Sequence, residues 1–152
     1  MDWAPSQKHF KPLLKSDAVD WFSGNELDRS LRMLRAAVDI MELRTRQGGY
    51  GEPSRDVPAI LVAIEEAHRL FDMSDEALSL SERIAQEGSS VGVSLFVTLP
   101  DISPQSFGGS VGLQEALTAD SNTTFAMGSE GLSMLRDRQH APTSDADPDP
   151  FC

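Results

Sequence analysis

The sequence predicts an α/β fold in which a mostly parallel sheet is flanked by helices. Two apolar runs without alternation, Ala59–Ile64 and Val91–Leu99, have the pattern of strands that are covered on both faces. A helical segment over residues 75–87 separates them, and this order is typical of right-handed crossovers between parallel strands. A chain of 152 residues has the size of one such domain.

A long helix is predicted from Asn25 onward, because apolar residues recur at alternating spacings of four and three. They stack on one face of the helix: Leu27, Leu31, Leu34, Val38 and Met41. Asn25 fits the N-cap, Arg44 and Arg46 suit the negative end of the helix dipole, and Gly48–Gly49 ends the helix. The stripe indicates core packing; a coiled-coil partner helix is the alternative for a pattern of little more than two heptads.

The remaining chain divides into short elements and two irregular ends. The helix over 75–87 is capped near Ser74 and closed by Gly88. Three further elements are predicted: a helix over 111–118, a strand at Thr123–Met127 and a helical turn or two over Glu130–Arg138. We therefore expect an irregular lead-in over residues 1–22, an α/β domain over 23–138, and a disordered acidic, proline-containing tail over 139–152.

Composition excludes several classes of protein. The chain has no run of 18 apolar residues, so no membrane span is expected, and its start lacks the pattern of a signal peptide. The single cysteine, Cys152, excludes a disulfide framework and a multi-cysteine zinc site. A cytoplasmic protein is the expectation.

The charge is −11 and is unevenly distributed. Residues 51–152 hold five Lys or Arg against seventeen Asp or Glu, and no basic stripe interrupts them. Such a surface repels a phosphate backbone, so tight nucleic-acid binding by this chain alone is not expected.

Two adjacent carboxylates, Glu65 and Glu66, follow the first predicted strand directly. Open α/β sheets bind ligands at the carboxyl ends of their strands. In nucleotide hydrolases this is the Walker B arrangement, in which one acid holds the water shell of Mg²⁺ and the next orients the attacking water. The alternative is a solvated acidic helix start, which the helix dipole alone favours.

Other candidate groups carry less information. His9, His68 and His140 lie far apart without paired metal spacing, and Gly108–Ser110 could offer backbone amides to an anion or form a turn. The chain has no Gly-x-x-x-x-Gly-Lys-Ser/Thr sequence and no lysine after Lys15. It therefore cannot hold a triphosphate in the P-loop manner by itself.

Three stretches, in order and similarly spaced, resemble the FtsK/SpoIIIE-type DNA-translocating ATPases, in particular the plasmid- and element-transfer members of actinobacteria. The first is similar to the long helix before Walker B, the second to the Walker B strand and the third to the sensor strand with its neighbours. They are Ala18–Phe22 with Leu31–Val38 and Met41–Arg44; Pro58–His68; and Ile84–Ala85 with Val91–Thr98, Gly108–Ser110 and Asn122–Phe125.

The resemblance implies a partial RecA-like fold of the P-loop NTPase type, with Walker A expected before residue 1. It implies that Glu66 is the catalytic glutamate, that Glu65 is the acid on the metal side and that Thr98 contacts the nucleotide cofactor. ATP and Mg²⁺ are the implied cofactors. The implied partners are translocase subunits, in a homo- or hetero-oligomer, and double-stranded DNA.

The sequence departs from the family pattern at three places. Glu65 stands where the family has aspartate, Leu99 follows Thr98 where the family has glutamine, and Ala126–Met127 occupies a site where arginine is usual. We therefore expect a truncated or degenerate motor domain that lacks ATPase activity alone. One alternative is a non-enzymatic module that docks onto, or completes, a full-length translocase ring; another is an unrelated small α/β protein.

Overall fold

A computed structural model describes residues 20–24, 26–119 and 121–125 of the chain. Four α-helices and two strands form its regular structure, with short 3₁₀ turns at Gly88–Val91 and Pro104–Phe107. In chain order the elements are α1 (Leu27–Arg46), β1 (Ile60–Ile64), α2 (Ala67–Met73), α3 (Asp75–Glu87), β2 (Val93–Val97) and α4 (Val111–Thr118). No helix among these described residues is long and apolar enough to cross a membrane.

The two strands pair in parallel, from Ile60 opposite Val93 to Ile64 opposite Val97. The α/β class and the parallel pairing are thus confirmed. Strand β2 is shorter than predicted because Val91 belongs to a 3₁₀ turn and Gly92 has a φ of +70°. In that left-handed conformation the backbone does not continue a β-ladder.

The third predicted strand is wrong for the residues that the structure describes. Thr123, Thr124 and Phe125 belong to no strand, and the hydroxyl of Thr124 donates to the carbonyl oxygen of Leu117 instead. The chain here folds back against the end of α4. The rest of that prediction, Ala126–Met127, lies outside the described residues, as do the predicted turns over Glu130–Arg138, the tail over 139–152 and residues 1–19 of the lead-in.

The helices α1 and α3 pack against each other and against the sheet. Four residues of the predicted apolar stripe are buried in the core, as core packing requires: Leu31, Leu34, Val38 and Met41. From the sheet, Val62, Ile64 and Val93 point into the same core. The predicted N-cap at Asn25 is wrong: Glu26 takes that place without a side-chain capping bond, and Asn25 itself is not among the described residues.

The expectation that both faces of the sheet are covered is wrong within the described part of the chain. On the face away from the core, Leu61 is 67% and Phe96 50% exposed, and Ala63 and Ser94 are exposed as well. The strand register places these four side chains together, since Leu61 lies opposite Ser94 and Ala63 opposite Phe96. We call this surface the open face.

Arg44 ties the beginnings of both strands to α1. Its side chain is buried, and its guanidinium donates to the carbonyl oxygens of Pro58 (2.7 Å), Val91 (2.7 Å) and Gly92 (3.2 Å). The same group stacks 4.7 Å from the ring centre of Tyr50. These carbonyl groups precede β1 and β2, so the arginine sets where each strand begins.

The structure thus gives Arg44 a role that the helix dipole did not predict. A signal was present in the sequence, because Arg44 lies three residues after Met41 and so continues the buried stripe. Gly92 belongs to the same arrangement: a Cβ atom there would lie 2.3 Å from the Tyr50 ring. Only glycine allows the ring to lie this close to the start of β2.

We predict that Arg44→Met lowers the free energy of unfolding by about 3 kcal/mol, because the buried guanidinium and its hydrogen bonds to three carbonyl groups are lost. Urea denaturation measures the change. The matched control is Arg46→Met on the same helix, whose side chain is 69% exposed and which should change stability by less than about 0.5 kcal/mol. Equal stability losses for the two variants would contradict the role given to Arg44.

Candidate functional site

The acid pair stands where the sequence predicted it, at the carboxyl end of β1. The strand ends at Ile64, Glu65 and Glu66 form a turn, and α2 begins at Ala67. Both glutamates are half-buried. The turn is tight because a helix follows the strand after only two residues.

Glu66 adopts a left-handed backbone conformation, with φ of +50° and ψ of +48°. Among the described residues it is the one non-glycine residue with positive φ. This conformation costs a residue with a Cβ atom roughly 1–2 kcal/mol. Backbone strain of this kind concentrates at functional sites, where the surrounding structure holds it in place.

Thr98, the residue after β2, holds this turn through three hydrogen bonds. Its Oγ1 accepts from the backbone N–H of Glu66 (2.8 Å), and its carbonyl oxygen accepts from the N–H of Ala67 (3.0 Å). Its own N–H donates to the carbonyl oxygen of Ile64 (3.0 Å). The acid pair follows β1, and Thr98, which was predicted inside the second strand, follows β2, so the three residues meet at one edge of the sheet.

Arg69 and Leu99 are neighbours of the acid pair and of Thr98 at this edge. The Oε2 atom of Glu66 lies 3.0 Å from Nε of Arg69, one helical turn later on α2. Leu99, which stands in the family's sensor position, is half-buried and packs against the core. A water-orienting role for Glu66 would thus require its carboxylate to leave Arg69.

Asp101 is a third acid near this edge, and the sequence analysis missed it. Hydrogen bonds from the side chain of Ser103, from that of Ser106 (2.7 Å) and from the backbone N–H of Ser103 (2.8 Å) hold the pKa of Asp101 below its usual range. The charge of His68 lowers this pKa further, by a smaller amount. An aspartate two residues before a serine, just after a strand, is the pattern of an Asx turn and was the available signal.

His68 is the histidine that the sequence placed close to the acid pair. It is half-buried in α2, and its Nδ1 atom is enclosed without a hydrogen-bond partner. The structure brings it near Asp101, which lies in the loop after β2. His9 and His140 lie outside the described residues.

The predicted glycine turn caps a helix. Gly108 and Gly109 have positive φ, and Ser110 accepts from the N–H of Leu113 (2.9 Å) as the N-cap of α4. The Ser110 hydroxyl also donates to Oε2 of Glu82 (2.7 Å). Its donor is therefore directed at α3, as in a structural cap.

The acid pair suits the coordination that Mg²⁺ prefers. This ion keeps most of its water shell in proteins and takes one or two carboxylates together with phosphate oxygens. Glu65 and Glu66 both lie at this sheet edge, directly after β1. Within the described residues no group of three or more His, Cys, Asp or Glu side chains is arranged as a complete metal cage.

A cleft of about 430 Å³ lies between α1 and α3, at the end of α1 that carries Arg46. Its charged residues neutralise one another, because Arg83 pairs with Glu42 (2.9 Å) and with Glu87 (3.3 Å). Arg46 lies 3.8 Å from the same Glu42. The cleft therefore offers little net charge to a ligand, and the sheet edge is the better candidate site.

No protein-family model, curated protein or solved structure matches this chain. The likeness to FtsK/SpoIIIE-type motors remains a prediction from the quoted motifs. What the structure itself defines is an α/β chain with an acid pair and a threonine joined at the carboxyl edge of two parallel strands.

We predict that Thr98→Val lowers the free energy of unfolding by about 1–2 kcal/mol, because the N–H of Glu66 loses its acceptor while valine keeps the shape of threonine. Thr98→Ser retains the hydroxyl and is the matched control. It should lose clearly less stability than the valine variant in urea denaturation. A valine variant as stable as the serine variant would show that the hydrogen bond does not hold the turn.

Proposed function

We propose that this chain is a degenerate FtsK/SpoIIIE-like motor domain that contributes the Walker B edge of an ATP site and hydrolyses no ATP alone. One observation supports the proposal most: the hydrogen bond from the Glu66 N–H to the Thr98 hydroxyl. It joins an acid pair and a threonine across neighbouring parallel strands. In the family that the quoted motifs resemble, the Walker B acids and the sensor threonine also end strands, and this likeness is the basis for proposing a partial RecA-like fold.

The roles of the acids follow from their positions. Glu65 would hold the water shell of Mg²⁺, and this ion would neutralise developing charge on the phosphates of ATP. Glu66 would orient the attacking water after its carboxylate leaves Arg69, from which it lies 3.0 Å away. Thr98 keeps the backbone of Glu66 in position and so acts as a positioning residue for that carboxylate.

The phosphate-binding loop must come from outside these 152 residues. This sequence has no Gly-x-x-x-x-Gly-Lys-Ser/Thr motif. Leu99 also offers no side-chain amide to the γ-phosphate. A ring of translocase subunits, in which neighbours complete one another's sites, would meet this need. The companion subunits would contact the double-stranded DNA. Residues 20–125 of this chain carry eight Lys or Arg against seventeen Asp or Glu, and this acidic excess repels a phosphate backbone.

A non-enzymatic docking module is the second candidate function. The strands β1 and β2 contain no charged residue, and in the described part of the chain each has one unpaired edge. Proteins usually protect such edges with charges or proline. A module that adds these strands to the sheet of a translocase would need the edges but not the carboxylate of Glu66.

The test is purification of the tagged full chain from its own cells, followed by identification of its companions. We expect a companion with a P-loop and Mg²⁺-dependent ATP hydrolysis by the complex. Glu66→Gln should reduce that hydrolysis at least about 100-fold, as loss of a catalytic base does. Glu115→Gln, on the exposed side of α4, is the matched control and should retain full activity.

Three results would change the conclusion. ATP hydrolysis by the purified chain alone would contradict the proposed dependence on a companion. A P-loop complex that hydrolyses ATP equally well with Glu66→Gln would support the docking module. Failure to recover any P-loop companion would contradict both candidate functions.

A further inference from the structure

The carboxylate of Glu66 is restrained by Arg69, a residue of α2. Its Oε2 atom lies 3.0 Å from Nε of the arginine. That oxygen is shielded from water, although the side chain as a whole is 34% exposed. Among the described residues no donor is aligned with Oε2 well enough for a hydrogen bond, so the restraint is an attraction between charges. The contact therefore breaks when either side chain rotates away, and no directed hydrogen bond opposes that rotation.

The backbone of Glu66 is fixed by hydrogen bonds on both sides. Its N–H donates to Oγ1 of Thr98 (2.8 Å), and the N–H of Ala67 donates to the carbonyl oxygen of Thr98 (3.0 Å). The carbonyl oxygen of Glu66 accepts from the backbone N–H of Arg69 (3.0 Å) in the first turn of α2. Both peptide groups of Glu66 are thus held, and the position of its carboxylate depends on side-chain torsions.

Pairing with Arg69 competes with the activation of water at the same oxygen. A general base must lie within about 2.6–3.2 Å of the water that it activates. The guanidinium of Arg69 already occupies that distance from Oε2, at 3.0 Å. The pairing also draws the carboxylate toward the first turn of α2, where Arg69 lies. The paired carboxylate and the water-orienting carboxylate are therefore two alternative states of Glu66.

The exposure of the pair sets the size of the expected effect. The side chains of Glu66 and Arg69 are 34% and 45% exposed, so water and salt screen their charges. Exposed pairs one helical turn apart favour the paired state by roughly two- to five-fold. Arg69 would therefore slow a reaction that needs the free carboxylate, without abolishing it.

We propose that Arg69 is an autoinhibitory residue, which limits ATP hydrolysis by holding the carboxylate of Glu66 away from the attacking water. This inference rests on the proposed function, because it takes Glu66 as the catalytic glutamate of a site that a companion completes. It gives Glu66 two positioning residues with opposite effects. Thr98 fixes the backbone of Glu66 for the reaction, whereas Arg69 holds the carboxylate out of it.

The test measures Mg²⁺-dependent ATP hydrolysis by the complex of the full chain with its P-loop companion. Arg69→Gln should raise kcat roughly two- to five-fold, because more of the Glu66 side chains are then free to orient water. KM for ATP should stay unchanged, since Arg69 is proposed to contact Glu66 and not the nucleotide. Arg69→Lys keeps the positive charge, so its kcat should lie between those of the original chain and the glutamine variant.

Three controls show whether the gain passes through Glu66. The double variant Arg69→Gln with Glu66→Gln should be as inactive as Glu66→Gln alone. Arg32→Gln removes one positive charge at an exposed position of α1 and should leave kcat unchanged. In urea denaturation of the full chain, Arg69→Gln should leave the midpoint near that of the original chain, because the pair is exposed. A higher rate would then not result from altered folding.

The outcomes separate a failure of this inference from a failure of the proposed function. Hydrolysis that depends on Glu66 but does not rise in Arg69→Gln overturns the autoinhibitory role alone. A rise that persists in the double variant relative to Glu66→Gln, or that Arg32→Gln reproduces, does not act through Glu66 and also overturns that role. Hydrolysis that is absent, or insensitive to Glu66→Gln, contradicts the proposed function, and the inference fails with it because no reaction is left to inhibit.

Discussion

A buried arginine whose hydrogen-bond partners are carbonyl oxygens determines how the two strands of this protein meet. Burial of a guanidinium is costly unless its donors are satisfied, and Arg44 satisfies them with the carbonyl groups of Pro58, Val91 and Gly92. Those groups precede β1 and β2. Because both strands begin at the same side chain and run in parallel for five residues, they also end side by side. The meeting of Glu66 with Thr98 at the far edge follows from the constraint at Arg44.

The turn formed by Glu65 and Glu66, the acid turn, is held by hydrogen bonds and also carries backbone strain. Glu66 keeps a left-handed backbone that glycine would adopt more easily, while Thr98 satisfies its N–H and Arg69 pairs with its carboxylate. A turn selected for stability alone would place glycine there. A carboxylate at a strained position is typical of residues that serve a function. The strained backbone and the half-burial of Glu66 thus favour a functional role over a solvated helix start.

Local patterns in the sequence predicted the elements well. The stripe of α1, the serine cap of α3 and the apolar run of β1 are all local signals, and each element lies within two residues of its predicted bounds. The position of the acid pair after β1 followed from the same run. The roles of Arg44 and Asp101 did not follow, because the partners of Arg44 lie up to 48 residues away and those of Asp101 depend on a loop conformation. Coverage of the sheet also could not be predicted, since an apolar run does not say which segment packs on each face.

The central claim is that Thr98 closes the acid turn onto the neighbouring strand, and amide hydrogen exchange at single-residue resolution tests it directly. The account predicts that the amides of Glu66 and Ala67 exchange as slowly as those of the core strands, because both donate to Thr98. The exposed loop residue Glu52 provides the fast reference. If Glu66 and Ala67 exchange at the rate of Glu52, the acid pair is not held at the sheet edge and the account is contradicted.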